Sequence, residues 1–142
     1  MRRLLLLPLV MVFALLLPRC SVDRGPGITF IENSWTDALA KAKAAHKPIF
    51  LDIYASWCGP CKKLKRETFT DKAVTDYFNA NFINVSLNGE EGDGAMLARQ
   101  YRIQGYPSLF VVDENGAVLS ASVGYQDASD LLQFGKSARK DK

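Results

Sequence analysis

Ile49-Phe50-Leu51-Asp52-Ile53-Tyr54-Ala55-Ser56-Trp57-Cys58-Gly59-Pro60-Cys61-Lys62 is the stretch on which the fold turns. Its first six residues are β-prone and, Asp52 apart, apolar without alternation, which is the pattern of a strand covered on both faces. Pro60 suits the first turn of a following helix, where a missing N–H costs nothing. The segment therefore predicts strand, tight loop and helix, with two cysteines where loop meets helix. Asp52 stands out within the strand, because a carboxyl among apolar neighbours is costly unless it has partners or a task.

The flanking sequence extends this unit in both directions. Upstream, Ile28 to Ile31 predicts a short strand. Ser34 is a helix N-cap with Asp37 three residues on, and Trp35, Ala38, Leu39, Ala42 and Ala45 form a helical apolar stripe that ends at Lys47-Pro48. Downstream, Asp71 caps a helix whose face is Ala73, Val74, Tyr77 and Phe78. Phe82 to Leu87 is a second buried strand, Asn88 to Gly94 a loop, and Ala95 to Tyr101 a short helix. Ser108 to Val112 and Ala117 to Val123 are strands joined through Asp113-Glu114-Asn115-Gly116, with hairpin chemistry at Asn-Gly. Asp127 to Ser137 is a closing helix. The order β-α-β-α-β-α-β-β-α predicts an α/β fold: a central mixed β-sheet flanked by helices, with a C-terminal β-hairpin and closing helix.

At 142 residues and 48% hydrophobic composition, the chain has room for one domain and one core without disulfide staples. The net charge of +3 is local. Without Arg2, Arg3 and Arg19 the basic and acidic residues balance, so no basic face predicts nucleic-acid binding. Arg2 and Arg3 followed by the apolar run Leu4 to Leu17 predict an export leader over residues 1–20. Cys20 follows that run after Pro18 and Arg19 and is a candidate for lipid attachment, although Arg19 stands where a small residue is usual; the alternative is a cysteine inside a cleaved or retained leader. Residues 21–27 read as a linker, 28–138 as the domain and 139–142 as a tail.

Three cysteines do not make a disulfide scaffold, and Cys58 and Cys61 form a lone C-x-x-C. Disulfide exchange needs two thiols within a small ring, one of them a thiolate near neutral pH. A helix N-terminus favours that thiolate through its unpaired N–H groups and positive dipole end. This placement points to Cys58 as nucleophile and Cys61, a turn on, as resolving thiol, with Gly59 admitting a partner chain and Pro60 stiffening the turn. Two other readings of the pair stand beside it: half of a zinc site, for which His46 and Cys20 are the only further soft or imidazole donors, and a purely structural short-loop disulfide.

The W-C-G-P-C run within this segment resembles the active site of thioredoxins. The resemblance extends over Ile28 to Lys136 and includes Gly105-Tyr106-Pro107-Ser108. The leader, Lys47-Pro48 and Glu67-Thr68-Phe69 resemble the exported members, those of the thiol:disulfide interchange family DsbD through its C-terminal domain. The resemblance implies a thioredoxin fold with no cofactor beyond the redox-active cysteine pair. It also implies that Asp52 exchanges a proton with Cys61, that Pro107 is the cis-proline facing the pair, that the Tyr106 backbone pairs with an extended substrate, and that Trp57 lines the docking surface. Implied partners are protein thiols and disulfides, with a membrane thiol reductase as electron donor. The implied setting is the periplasm, as a monomer free or anchored at its N-terminus. Gly59-Pro60 resembles reducing members; an oxidase or isomerase, or a redox-inert peptide-binding module, are the alternatives. Ser86 departs from the family, which often has a lysine near the buried acid.

Overall fold

Ile49–Tyr54, apolar but for Asp52, and Ile83–Asn88, in which apolar residues alternate with Asn84, Ser86 and Asn88, pair as neighbouring parallel strands in the middle of a five-stranded sheet. The computed structural model describes residues 26–140; Cys20, the leader and most of the linker lie outside them. The elements are β1 (Ile31–Glu32), α1 (Trp35–Ala45), β2 (Ile49–Tyr54), α2 (Gly59–Lys63), α3 (Lys72–Asn81), β3 (Ile83–Asn88), α4 (Gly92–Gln100), β4 (Ser108–Val112), β5 (Val118–Val123) and α5 (Ala128–Lys140). The helix begun by α2 continues as a π turn over Leu64–Thr68, closed by the Phe69 N–H donating to the Leu64 carbonyl at 3.0 Å. Strand order is β1-β3-β2-β4-β5, with β1, β3 and β2 parallel and β4 and β5 antiparallel additions. This is the mixed sheet and hairpin that the sequence predicts.

Helices cover both faces. Trp35, Ala38 and Ala42 of α1 and Leu97 of α4 pack on Ile49, Leu51, Ile53, Val85 and Leu87. Leu64, Val74 and Phe78, with Leu131 of α5, pack on Phe50, Leu109 and Val111. Local caps fix the helix starts. The Ser34 hydroxyl accepts from the Asp37 N–H, and the Asp71 carboxylate accepts from the Val74 N–H.

Three boundaries differ from the sequence reading. The first strand pairs only at Ile31 and Glu32, because the preceding backbone bonds elsewhere: Ile28 N–H to the Phe69 carbonyl and Thr29 N–H to Asn79. Helix α4 starts at Gly92, inside the segment read as loop. Its acid Asp93 accepts from the Trp35 N–H at 2.8 Å, and Gly94 lies against the Asn88 backbone with no space for a side chain. Helix α5 runs past Ser137 to Lys140, since the Ser137 hydroxyl bonds back to the Gln133 carbonyl within the helix and Ala138 is buried.

Candidate active site at the N-terminus of α2

The C-terminal end of β2 delivers the chain into Ala55–Cys58, and Cys58 becomes the N-cap of α2. Its Sγ accepts from the Cys61 N–H at 3.1 Å, using one of the donors that a helix start leaves unpaired. Cys58 and Cys61 are joined by a disulfide with Cα atoms 5.3 Å apart. Both cysteines are 2% exposed, whereas Gly59 and Pro60 between them are exposed. A Cβ added at Gly59 would meet nothing within 4 Å, so the approach to the pair is open there.

The register of β2 with β4 brings Pro107 to the same end of the sheet. Ile53 pairs with Ser108, which places the Tyr106-Pro107 segment beside the loop that follows Tyr54. The Tyr106-Pro107 peptide is cis, and Pro107 is buried with its carbonyl accepting from the Gly124 N–H at 2.8 Å. Tyr106 packs against the cluster of Ala55, Cys58 and Cys61. Trp57 is 66% exposed and meets the Tyr106 ring edge-on at 5.9 Å. Its indole N–H donates to Glu90 at 2.9 Å. Burial first, and then Glu90, push the Tyr106 hydroxyl above its ordinary range.

Asp52 lies in β2, six residues before Cys58, and is 1% exposed. The Ser86 hydroxyl donates to its Oδ2 at 2.9 Å, and Oδ1 has no partner among the described residues. Burial pushes its pKa from 3.8 up to about 6; Lys65 and the Ser86 hydrogen bond oppose the rise, and Glu32 adds to it.

Cys58, Cys61, Trp57, Gly59, Pro60, Tyr106 and Pro107 thus gather at one end of the sheet, and Asp52 is buried within the strand that leads to them. His46 is apart, exposed at the C-cap of α1. Among the described residues no group of three or more His, Cys, Asp or Glu is placed to hold a metal. No described helix is long and apolar enough to cross a membrane. Sequence reasoning missed Glu90 and Lys65. Glu90 sits in an acidic loop 33 residues from Trp57, and nothing local links the two. Lys65 had a signal, since it follows Cys61 by four residues, one helical turn.

A disulfide at a helix N-terminus, a cis-proline at the same end of the sheet and a buried carboxyl on the strand that leads into the pair mark a thioredoxin-fold domain. The chain belongs to the thioredoxin-like domain family, which matches residues 35–139. It is 30% identical over 95 residues to the thiol:disulfide interchange protein DsbD of Yersinia pestis, covering 65% of this chain but 16% of that protein, so it spans about a sixth of this curated relative. A protein from Bacteroides thetaiotaomicron, provisionally named a disulphide-isomerase, superposes with a TM-score of 0.73 at 37% identity, over 83% of this chain and 98% of that one. The oxidised C-terminal domain of Neisseria meningitidis DsbD shares the fold, with a TM-score of 0.61 at 24% identity over 72% of this chain and 90% of that domain.

Proposed function

We propose that the chain is a protein-disulfide reductase for exported proteins, with Cys58 as nucleophile and Cys61 as resolving thiol. The observation that carries this reading is the placement of Cys58 Sγ at the N-cap of α2, facing the Cys61 N–H. A thiolate there is stabilised by the helix end, and attack requires the thiolate. Reduced Cys58 attacks a substrate disulfide, forming a mixed disulfide and releasing one substrate thiolate, which takes up a proton. Asp52 accepts the Cys61 proton. The Cys61 thiolate then attacks Cys58 Sγ, releasing the second substrate sulfur as a thiol. Two electrons pass to the substrate, and the product on this chain is the Cys58–Cys61 disulfide, the state described above.

Substrate docking falls to the rim. An extended segment pairs with the Tyr106 backbone beside Pro107, and Trp57 and Tyr106 supply the apolar contact. Exposed Gly59 leaves room for the substrate backbone. The electron donor in this scheme is a membrane thiol reductase, because an oxidising compartment does not keep the pair reduced. The leader over residues 1–20 supports a periplasmic location, with Cys20 as the site of any lipid anchor, and the working unit is the monomer. No cofactor is required.

Insulin-disulfide reduction by the wild type and by Cys58→Ser tests the reading; equal rates would sink it and favour a redox-inert binding module. A second reading, isomerase, is favoured by the name of the Bacteroides relative. The potential of the Cys58–Cys61 couple separates them. A reductase lies near thioredoxin's value of about −270 mV, whereas about −180 or −120 mV belongs to an isomerase or an oxidase.

A further inference from the structure

The cysteines and Pro107 stand on different parts of the chain. The cysteines open the helix that runs through α2 into the π turn. Pro107 is held by the end of β5: Ser108 pairs with Val123, and the Gly124 N–H donates to the Pro107 carbonyl. The sheet joins the two parts through the pairing of β2 with β4. A second link bypasses the sheet. Thr68 of the π turn is 1% exposed, and its hydroxyl donates to the Gln126 carbonyl at 2.7 Å, 58 residues along the chain. Gln126 lies two residues after Gly124, and its amide donates to Ser122 Oγ at 2.6 Å, which closes Ser122–Gln126 into an arm. Lys63 adds a looser tie to the same arm, with its Nζ 4.3 Å from the centre of the Tyr125 ring. A threonine in or beside a helix can satisfy its hydroxyl by bonding back to the preceding turn. Thr70 does so, donating to the Arg66 carbonyl at 2.8 Å. For Thr68 the corresponding carbonyl is that of Leu64, which accepts the Phe69 N–H that closes the π turn, and the Thr68 hydroxyl reaches across to the arm instead. Single π turns of this kind recur at functional sites.

We propose that Thr68 is a positioning residue for substrate docking: its hydroxyl braces the active-site helix against the Ser122–Gln126 arm and so fixes the spacing between the cysteine pair and Pro107. An extended substrate has to meet both at once, with its backbone beside Pro107 and its disulfide at Cys58, so a loosened arm weakens docking without altering the sulfurs. This consequence rests on the docking reading given above. Thr68 touches neither the cysteines nor Pro107 in this scheme and acts through Gln126 and Gly124. A small disulfide that makes no backbone pairing needs only the cysteines, and the brace is irrelevant to it.

The test compares two disulfides on the full chain. Thr68→Val keeps the shape of the side chain and removes the donor, leaving the Gln126 carbonyl without it. It is expected to raise the KM for insulin about fivefold or more with kcat held, while the rate at which bis(hydroxyethyl) disulfide oxidises the reduced protein stays within about twofold. Thr68→Ser restores the donor and is expected to restore the KM. An unchanged KM in Thr68→Val, an equal loss on both disulfides, or a KM that Thr68→Ser fails to restore would overturn the assignment. Ser122→Ala, which releases the Gln126 amide, is expected to raise the KM by a smaller factor; should Thr68→Val not fold, an unchanged KM in Ser122→Ala overturns the assignment in its place. Hydrogen exchange reads the brace without any activity. The Gly124 amide is expected to exchange faster in Thr68→Val while the amides of β2 keep their wild-type rates, and to recover in Thr68→Ser. Equal acceleration at Gly124 and in β2 would mean general destabilisation and would overturn the brace. A wild type that reduces no insulin refutes the reductase reading, and the exchange result then decides the brace alone.

Discussion

The two faces of the central sheet share every backbone pairing and differ in what they bury. Towards α1 and α4, β2 and β3 present Ile49, Leu51 and Ile53 beside Ile83, Val85 and Leu87, with no polar side chain among them. Towards α2, α3 and α5 the same strands present Phe50, Asp52 and Tyr54 beside Asn84, Ser86 and Asn88. The first face supplies burial and little else. The second gives up apolar area and needs internal partners: Ser86 for Asp52, and the Phe78 carbonyl with Asn79 for the Asn84 amide. Even so, one oxygen each of Asp52 and Asn84 stays unpartnered among the described residues. The helix that begins at Cys58 runs on into Leu64 on the second face, so these polar groups share a side of the sheet with the active-site helix.

The strongest break in this comparison is chemical. Cys58→Ser is expected to drop insulin-disulfide reduction to the uncatalysed rate, while Leu51→Ala, on the other face, leaves the activity of the folded protein in place. Stability then separates the faces at adjacent residues. Leu51 is fully buried, and Leu51→Ala is expected to cost about 3 kcal/mol in urea unfolding. Asp52→Asn is expected to act in the opposite sense. The folded-state pKa of Asp52 is raised from 3.8 to about 6. Between those values the folded chain binds more protons than the unfolded one, so stability falls as pH rises through that window. At about 1.4 kcal/mol per unit, the penalty above pH 6 reaches about 3 kcal/mol. Asp52→Asn removes it, so the variant should be more stable than wild type at pH 8, by at most about that amount, and the gain should fade towards pH 4. A gain independent of pH would mean that charge burial is not its source.

Much of this was legible because chemistry and fold share one short stretch. The apolar run Ile49–Tyr54 announces a doubly covered strand, and an acid within it announces itself by its cost. Cys58 and Cys61 lie three residues apart, so their disulfide is a local feature, and Asn115-Gly116 marks the hairpin locally as well. The first strand was misplaced because its hydrogen bonding is set by Phe69 and Asn79, far along the chain, and no local pattern records that. The start of α4 was hidden by glycines, which read as loop until Asn88 is seen against Gly94. The charges around Asp52 come from β1 and the π turn, and only strand register brings Glu32 into its row. Glu90 meets Trp57 across 33 residues for the same kind of reason.

Glu90 also gives the smallest effect, at the rim where neither face is buried. Glu90→Gln keeps an oxygen that can accept from the Trp57 indole N–H but removes the charge that strengthens the bond. Both partners are exposed, so the change should be worth less than about 1 kcal/mol. Trp35, the other tryptophan, is buried in the opposite core, so the exposed component of the fluorescence reports Trp57. That component is expected to lose anisotropy while insulin reduction stays within about fivefold, as a difference of under about 1 kcal/mol implies. The Tyr106 hydroxyl, which Glu90 helps to push up, is expected to titrate lower in the variant. A tenfold loss of reduction with unchanged anisotropy would instead make the Glu90 charge itself part of substrate docking, and the working surface would then extend past the cysteine end of the sheet into the loop before α4.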